Sequence, residues 1–315
     1  MHRGIRYAVC DRTRDWAPRH LASLESYHGS CALYCGGYNR RGGSRNDYAG
    51  VLMSAPLRTV TATRYITPLR EGGSLPGLVE ADDDGMYVVK FRGAGQGSGA
   101  LVAELVVGEL ARVCGLPVPE LVFIDIDPVL VRSEPDDEVQ ALVQASAGLN
   151  LASDFLPGAL PFDAALVDTV DTDLASAIVW FDALMTNIDR TPRNTNMLIW
   201  HRKLHVIDHG AALYVMHAWD GFESRIQSPF SAIRDHVLLP AVGNIADADA
   251  LLHARLTPAS IAAVLDLVPT AWWPLGRRWQ HAVEAQAALQ LYLEQRLHEP
   301  RAFVAEVARA RTALI

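Results

Sequence analysis

The stretch NIDRTPRNTNMLIWHRKLHVIDHG, Asn187 to Gly210, decides how the chain is read. It sets Asp189, then Asn194, then Asp208 beyond two short strands, Asn196–Trp200 and Leu204–Ile207, that flank a His-Arg-Lys turn. Met197, Ile199, Leu204, Val206 and Ile207 are apolar and would anchor the hairpin on a core, so the polar loops beside it are held in place. Taken singly, each polar residue is an ordinary turn former. Together they supply what phosphoryl transfer requires: a carboxylate beside the acceptor hydroxyl, and oxygen ligands for magnesium on nucleotide phosphates.

Working outward, the next informative residue is a lysine. Of 28 basic residues only Lys90 and Lys203 are lysines. In Tyr87-Val88-Val89-Lys90-Phe91, alternation puts Lys90 and Val88 on one face of a strand, opposite Tyr87, Val89 and Phe91. An ammonium in so apolar a strand must find an anion, because an unpaired buried charge is very costly. Nucleotide phosphates would supply one, and Glu104 could hold the lysine between ligands. Glu104 lies on a helix running from Ala100 to about Cys114, on one face with Ala100, Gly108 and Ala111, so that face can approach a sheet closely.

Glycine clusters in two places. In EGGSLPG, the backbone N–H groups of Gly72, Gly73 and Ser74 could fold over phosphates. In GAGQGSGA, Gly95-x-Gly97-x-x-Ala100 matches a dinucleotide fingerprint, with Asp125 or Asp127 as a possible ribose acid. That rival reading places Lys90 in a strand that should be wholly apolar, and no further alternation of strand and helix follows to build a doubly wound sheet.

Asp189-Arg190 to Asn194, followed by Ile207-Asp208-His209-Gly210, resembles the catalytic and metal-binding loops of HipA-like kinases, and phosphatidylinositol kinases have a related arrangement. ELVVGELARVCGLPVPE, Glu104 to Glu120, also looks like the helix of that family that ends in GLPVP. The likeness covers about Thr59 to Trp219. It implies that Lys90 contacts phosphates and Glu104 pairs with it, that Asp189 is the catalytic base, and that Asn194 and Asp208 bind magnesium. Gly72, Gly73 and Ser74 would be the phosphate-covering loop, and ATP and Mg²⁺ the cofactors. His209 departs from the pattern, standing where an aromatic residue is common, and Thr191 stands where histidine is common.

The rest of the chain sets bounds. Its 315 residues are half apolar and one-fifth charged, as in a globular protein. No apolar run is long enough to span a bilayer, and the first residues lack the apolar stretch of a secretion signal, so the cytoplasm is the default compartment. Residues 1–52 carry eight arginines against four acids, or +4, and the remainder carries 20 basic against 32 acidic side chains, or −12. An acidic body argues against gripping nucleic acid. Three of the four cysteines, Cys10, Cys31 and Cys35, lie in this first segment. With His28 they could form a zinc site, but the spacing is irregular, and a disordered leader over residues 1–56 is expected instead.

The expected fold is α+β and bilobal in the protein-kinase-like manner, with a small strand-rich lobe over 57–156 and a mainly helical lobe over 157–315. The expected activity is ATP- and Mg²⁺-dependent phosphoryl transfer to serine or threonine of an unknown protein, with no nucleic acid or membrane as partner. A small-molecule or lipid kinase, a catalytically silent nucleotide-binding module and a dinucleotide enzyme are the alternatives.

Overall fold

A computed structural model describes residues 56–69, 75–94, 97–132, 134–217, 219–276 and 278–314. The architecture is α+β and bilobal. Strands β1 (Thr59–Pro68), β2 (Gly77–Ala81) and β3 (Met86–Lys90) come first. The turn between β2 and β3 is the expected Asp-Asp-Asp-Gly, with Asp84 at φ 62°. Helix α1 (Ser98–Val113), β4 (Leu121–Ile126), α2 (Asp137–Ala145) and β5 (Gly148–Asp154) follow. The five strands close into a barrel in the order β1-β2-β3-β5-β4, sealed by a parallel pairing of β4 with β1; every other pairing is antiparallel. Val60, Val79, Tyr87, Val89, Phe91, Val122 and Ile124 belong to its buried core, to which α2 adds Val139 and Val143.

The second lobe begins with β6 (Leu160–Pro161) and α3 (Thr172–Met185). Asp171 caps α3 by accepting from the backbone N–H groups of Asp173 and Leu174 at 3.0 Å. Strands β7 (Met197–Trp200) and β8 (Lys203–Val206) form the expected hairpin. Its loop is two residues, His201 and Arg202, both at positive φ, so Lys203 is drawn into the ladder opposite Trp200. The chain continues through α4 (Phe222–Arg225), α5 (Ile245–Arg255), α6 (Pro258–Leu265), α7 (Ala282–Arg296) and α8 (Ala302–Thr312). At α6 the Thr257 cap expected from Thr-Pro is present, and Ser260 completes a reciprocal capping box. No described helix is long and apolar enough to cross a membrane.

Helix α1 is apolar almost all round, and every residue from Leu101 to Ala111 is buried. Its core partners are largely those of the second lobe: it packs on α6 and on the turn carrying Trp272. Phe123 of β4 meets the Trp272 ring edge-on, with centroids 5.6 Å apart. Gly108 is what lets α1 lie so close to the barrel, since a Cβ there would stand 2.8 Å from Leu121 Cδ1.

Arg296 at the end of α7 is 1% exposed. It donates to the carbonyls of Ala183 (3.1 Å) and Leu184 (3.1 Å), the free carbonyls at the end of α3, and to those of Ile226 (2.8 Å) and Ser228 (3.1 Å). Tyr292 and Phe303 present their rings to the guanidinium at 5.5 and 5.3 Å. Arg296→Met should therefore cost on the order of 3 kcal/mol in urea unfolding, because several buried carbonyls lose their donor at once. A change below about 0.5 kcal/mol would mean that these carbonyls find other partners.

Candidate active site

Three separate elements bring charge to one point. Alternation along β3 buries Tyr87 and Val89 in the barrel and turns Lys90 to the opposite face, as the sequence pattern predicts. There Lys90 Nζ lies 2.6 Å from Asp208 Oδ1 and 3.7 Å from Glu104 Oε2. Glu104 reaches it from α1, whose close approach Gly108 permits. Glu104 also accepts the backbone N–H of His209 at 2.7 Å, and that of Gly210. Asp208 itself follows β8 and holds φ at 57°, in the left-handed region that aspartate enters more readily than most side chains. Lys90, Phe91, Ala94, Ala100, Glu104 and Asp208 line a shared pocket.

The electrostatics follow from one cation facing two carboxylates. Burial opposes the Lys90 charge, but Glu104 and Asp208 outweigh it and raise its pKa. For Asp208 burial is likewise outweighed by Lys90, and the carboxyl is held below the usual range. Glu104 goes the other way: burial raises it, and the Asp208 charge adds to that against the pull of Lys90.

Asp189 sits in the loop after α3. Its Oδ2 accepts from Asn194 Nδ2 at 2.8 Å and Asn196 Nδ2 at 3.2 Å, and its backbone N–H donates to Asn187 Oδ1 at 3.1 Å. The structure thus brings the expected pair Asp189 and Asn194 into contact. It also adds a support beneath them that the spacing did not disclose. Arg190, 1% exposed, donates from Nε to Asp182 Oδ2 at 2.6 Å. Its Nη1 donates to the carbonyls of Asn196 and Ile207. One guanidinium therefore ties the Asp189 loop to the residue before Asp208. Asp182 also accepts from Asn187 Nδ2 (3.0 Å) and His236 Nε2 (2.9 Å). Burial would raise the Asp182 pKa, yet Arg190 and His236 hold it well below the carboxylate range. The available signal was Asp182 itself, an acid inside the apolar run Leu174–Met185, which must be paired when buried.

Other sequence expectations fall out as follows. Gly72, Gly73 and Ser74, and likewise Gly95 and the cysteines and histidine at positions 10, 28, 31 and 35, lie outside the described residues. The dinucleotide alternative loses its scaffold, since the sheet is a largely antiparallel barrel rather than a doubly wound parallel one. Asp127 caps a turn through the Val129 N–H at 2.9 Å, and Asp125 pairs within the barrel strands. His209 is buried, with its Cδ2 near Gly108, and among the described residues neither ring nitrogen has a hydrogen-bond partner.

A family model described as HipA-like kinase matches residues 63–298, most of the chain and the whole of this site. The chain belongs to the HipA-like kinase family. Among solved structures it is similar to the Helicobacter pylori proinflammatory kinase CtkA, at 14% identity and a TM-score of 0.54 over 82% of this chain and 99% of that one. It is also similar to the Golgi casein kinase with Mn/ADP bound, at 13% identity and a TM-score of 0.40 over 79% and 74% of the two chains. No curated protein sequence matches it. The likeness to CtkA shows the fold, and the bilobal kinase-like reading of the sequence is borne out.

In this HipA-like kinase burial lowers the pKa of two imidazoles. Burial, with Arg190 adding to it, pushes His209 down to about 3. His236 is lowered because burial outweighs the pull of Asp182. Both groups bind protons more readily in the unfolded chain, so their contribution to stability is complete above the ordinary histidine pKa of about 6.5 and falls away below it. Unfolding free energies from urea titrations should therefore decline between pH 7 and 5, by up to about 1.4 kcal/mol per pH unit for each histidine. His236→Gln should make that slope shallower. Stability that is flat across this range would show that the imidazoles are not held neutral.

Proposed function

We propose that this HipA-like kinase is an active enzyme that transfers the γ-phosphoryl group of ATP, with Mg²⁺, to a serine or threonine hydroxyl of a protein. The observation that carries the reading is the meeting of Lys90, Glu104 and Asp208 from three elements, with Arg190 tying the Asp189–Asn194 loop to the residue before Asp208.

The donor set fits a nucleotide-bound magnesium ion. Among the described residues no cluster of three or more histidine, cysteine, aspartate or glutamate side chains would cage a metal alone. Asn194 and Asp208 instead offer hard oxygen donors, and magnesium takes its remaining ligands from phosphates and water. Asn194 uses its amide nitrogen on Asp189, which leaves its carbonyl oxygen for a metal. Asp208, with its side chain 40% exposed, keeps Oδ2 while Lys90 holds Oδ1. Bound ATP–Mg²⁺ would supply the phosphoryl group and neutralise part of its charge.

The chain's own residues do the rest. Lys90 binds phosphate oxygens in place of Asp208, and Glu104 keeps the ammonium aligned. The two amides on Asp189 Oδ2 leave Oδ1 to accept the proton of the acceptor hydroxyl. Ile188, 49% exposed beside Asp189, offers apolar surface to a polypeptide acceptor.

Four variants separate these roles. Asp189→Asn should abolish turnover and leave ATP–Mg²⁺ binding largely intact. Asp208→Asn should raise the magnesium requirement and cut turnover together, and Asn194→Ala should resemble it, since an amide can ligate but cannot act as a base. Lys90→Ala should weaken ATP binding by about 2–5 kcal/mol. The measurements are single-turnover transfer from labelled ATP and magnesium-dependent ATP binding. Near-normal turnover in Asp189→Asn would remove the base assignment; ATP binding without turnover on any acceptor by the wild type would favour a silent module.

A further inference from the structure

His236 lies far from Asp189 in sequence, just after a turn at Ser231–Asp235, yet it is 4% exposed and reaches the pair beneath the catalytic loop. Its two ring nitrogens have opposite duties. Nδ1 accepts the backbone N–H of Leu238 at 3.0 Å, so it carries no proton. Nε2 must then bear the proton, and it donates to Asp182 Oδ2 at 2.9 Å. The same oxygen receives Arg190 Nε at 2.6 Å. The next residue, Val237, donates its N–H to the Arg190 carbonyl at 3.0 Å. The segment 236–238 therefore grips Arg190 twice, through Asp182 and through its backbone.

We propose that His236 is a positioning residue for phosphoryl transfer: by fixing the Asp182 carboxylate it orients Arg190, and through Arg190 it sets Asp189 relative to Asp208. The neutral ring suits this role, because Arg190 already balances Asp182 and a second cation would have no counterion. Among the described residues the His236 ring bonds only Asp182 and the Leu238 N–H, not Lys90, Glu104 or Asp208, so its effect falls on alignment and not on nucleotide capture. The catalytic part of this proposal rests on the proposed activity, whereas the alignment itself does not.

The test uses the full chain as His236→Ala, His236→Gln and His236→Asn. Glutamine can place an amide N–H where Nε2–H stands; asparagine can keep an acceptor for Leu238 but not the donor to Asp182. Backbone hydrogen exchange, ATP–Mg²⁺ affinity and single-turnover transfer to a mixed-sequence serine/threonine peptide library are read on each. In His236→Ala, amides of residues 187–196 should lose roughly tenfold in protection, the scale of one hydrogen bond to a charged group, while barrel amides keep theirs. Turnover should fall by roughly a hundredfold with ATP–Mg²⁺ affinity largely unchanged. Glutamine should restore both readouts, and asparagine should not; that pair carries the test if alanine prevents folding. Unchanged protection at 187–196, or equal losses of protection across both lobes, overturns the proposal. A wild type that shows no turnover defeats the proposed activity alone, and hydrogen exchange still decides whether His236 sets the loop.

Discussion

The fold is organised around one ammonium group that has more counter-charge than it needs. Lys90 comes from the barrel, Glu104 from the helix that follows it and Asp208 from the loop beyond the second-lobe hairpin. One positive charge against two carboxylates leaves the site net negative, and the imbalance splits the two acids: Lys90 holds Asp208, nearest the ammonium, below the usual carboxylate range, while burial and the Asp208 charge push Glu104 above it. An arrangement of this kind is costly to bury and is completed by added cation. In the proposed function, polyphosphate with magnesium would satisfy both halves together, giving Lys90 an anion and Asp208 a cation.

Placing those three groups within a few ångströms makes demands on the scaffold. Helix α1 has no polar face to spend, because it is wrapped by the barrel on one side and by α6 and the Trp272 turn on the other. Glu104 is therefore fixed by packing before it is fixed by charge. Gly108, one turn further along, admits Leu121 and lies beside the edge of the His209 ring, and so joins the position of the helix to that of the Asp208 loop. Glu104 closes the link from the other side by accepting the His209 N–H. Backbone, packing and charge here all specify one arrangement, and such agreement is what makes a site rigid.

Much of this was legible in the chain. Strict alternation around Lys90 placed its side chain opposite the barrel core, and small residues at Ala100, Gly108 and Ala111 marked the close-packed face of α1. The apolar residues of β7 and β8 identified a hairpin that carries polar loops. Less was legible where contacts join distant segments. Asp182, Arg190 and His236 obey no common period: the acid inside the apolar run of α3 called for a partner, but nothing in the chain said that Arg190 and His236 would supply it. The lobe to which α1 contributes its apolar surface was equally hidden, since a helix that is apolar on every side does not say which neighbour covers which face. Helix α5 buries only Ala248 and Leu252, too few positions to stand out by periodicity. His209, at the position where the resemblance implied an aromatic residue, is buried, which the residue type alone did not indicate.

The buried ion pair under the Asp189 loop bears on whether the site is retained for use. Asp182 and Arg190 are both almost wholly inaccessible, and a pair so deep commonly contributes less to stability than apolar side chains of the same volume would. The Asp208 backbone takes a positive φ, and His209 adds a buried imidazole whose nitrogens have no hydrogen-bond partner among the described residues. None of these features is what folding alone would select. All of them converge on the segments that carry Asp189, Asn194 and Asp208, so the stability they forgo goes into alignment at one place. That concentration lies at the segments on which the proposed phosphotransfer site rests, and it favours the proposed active reading over a silent module.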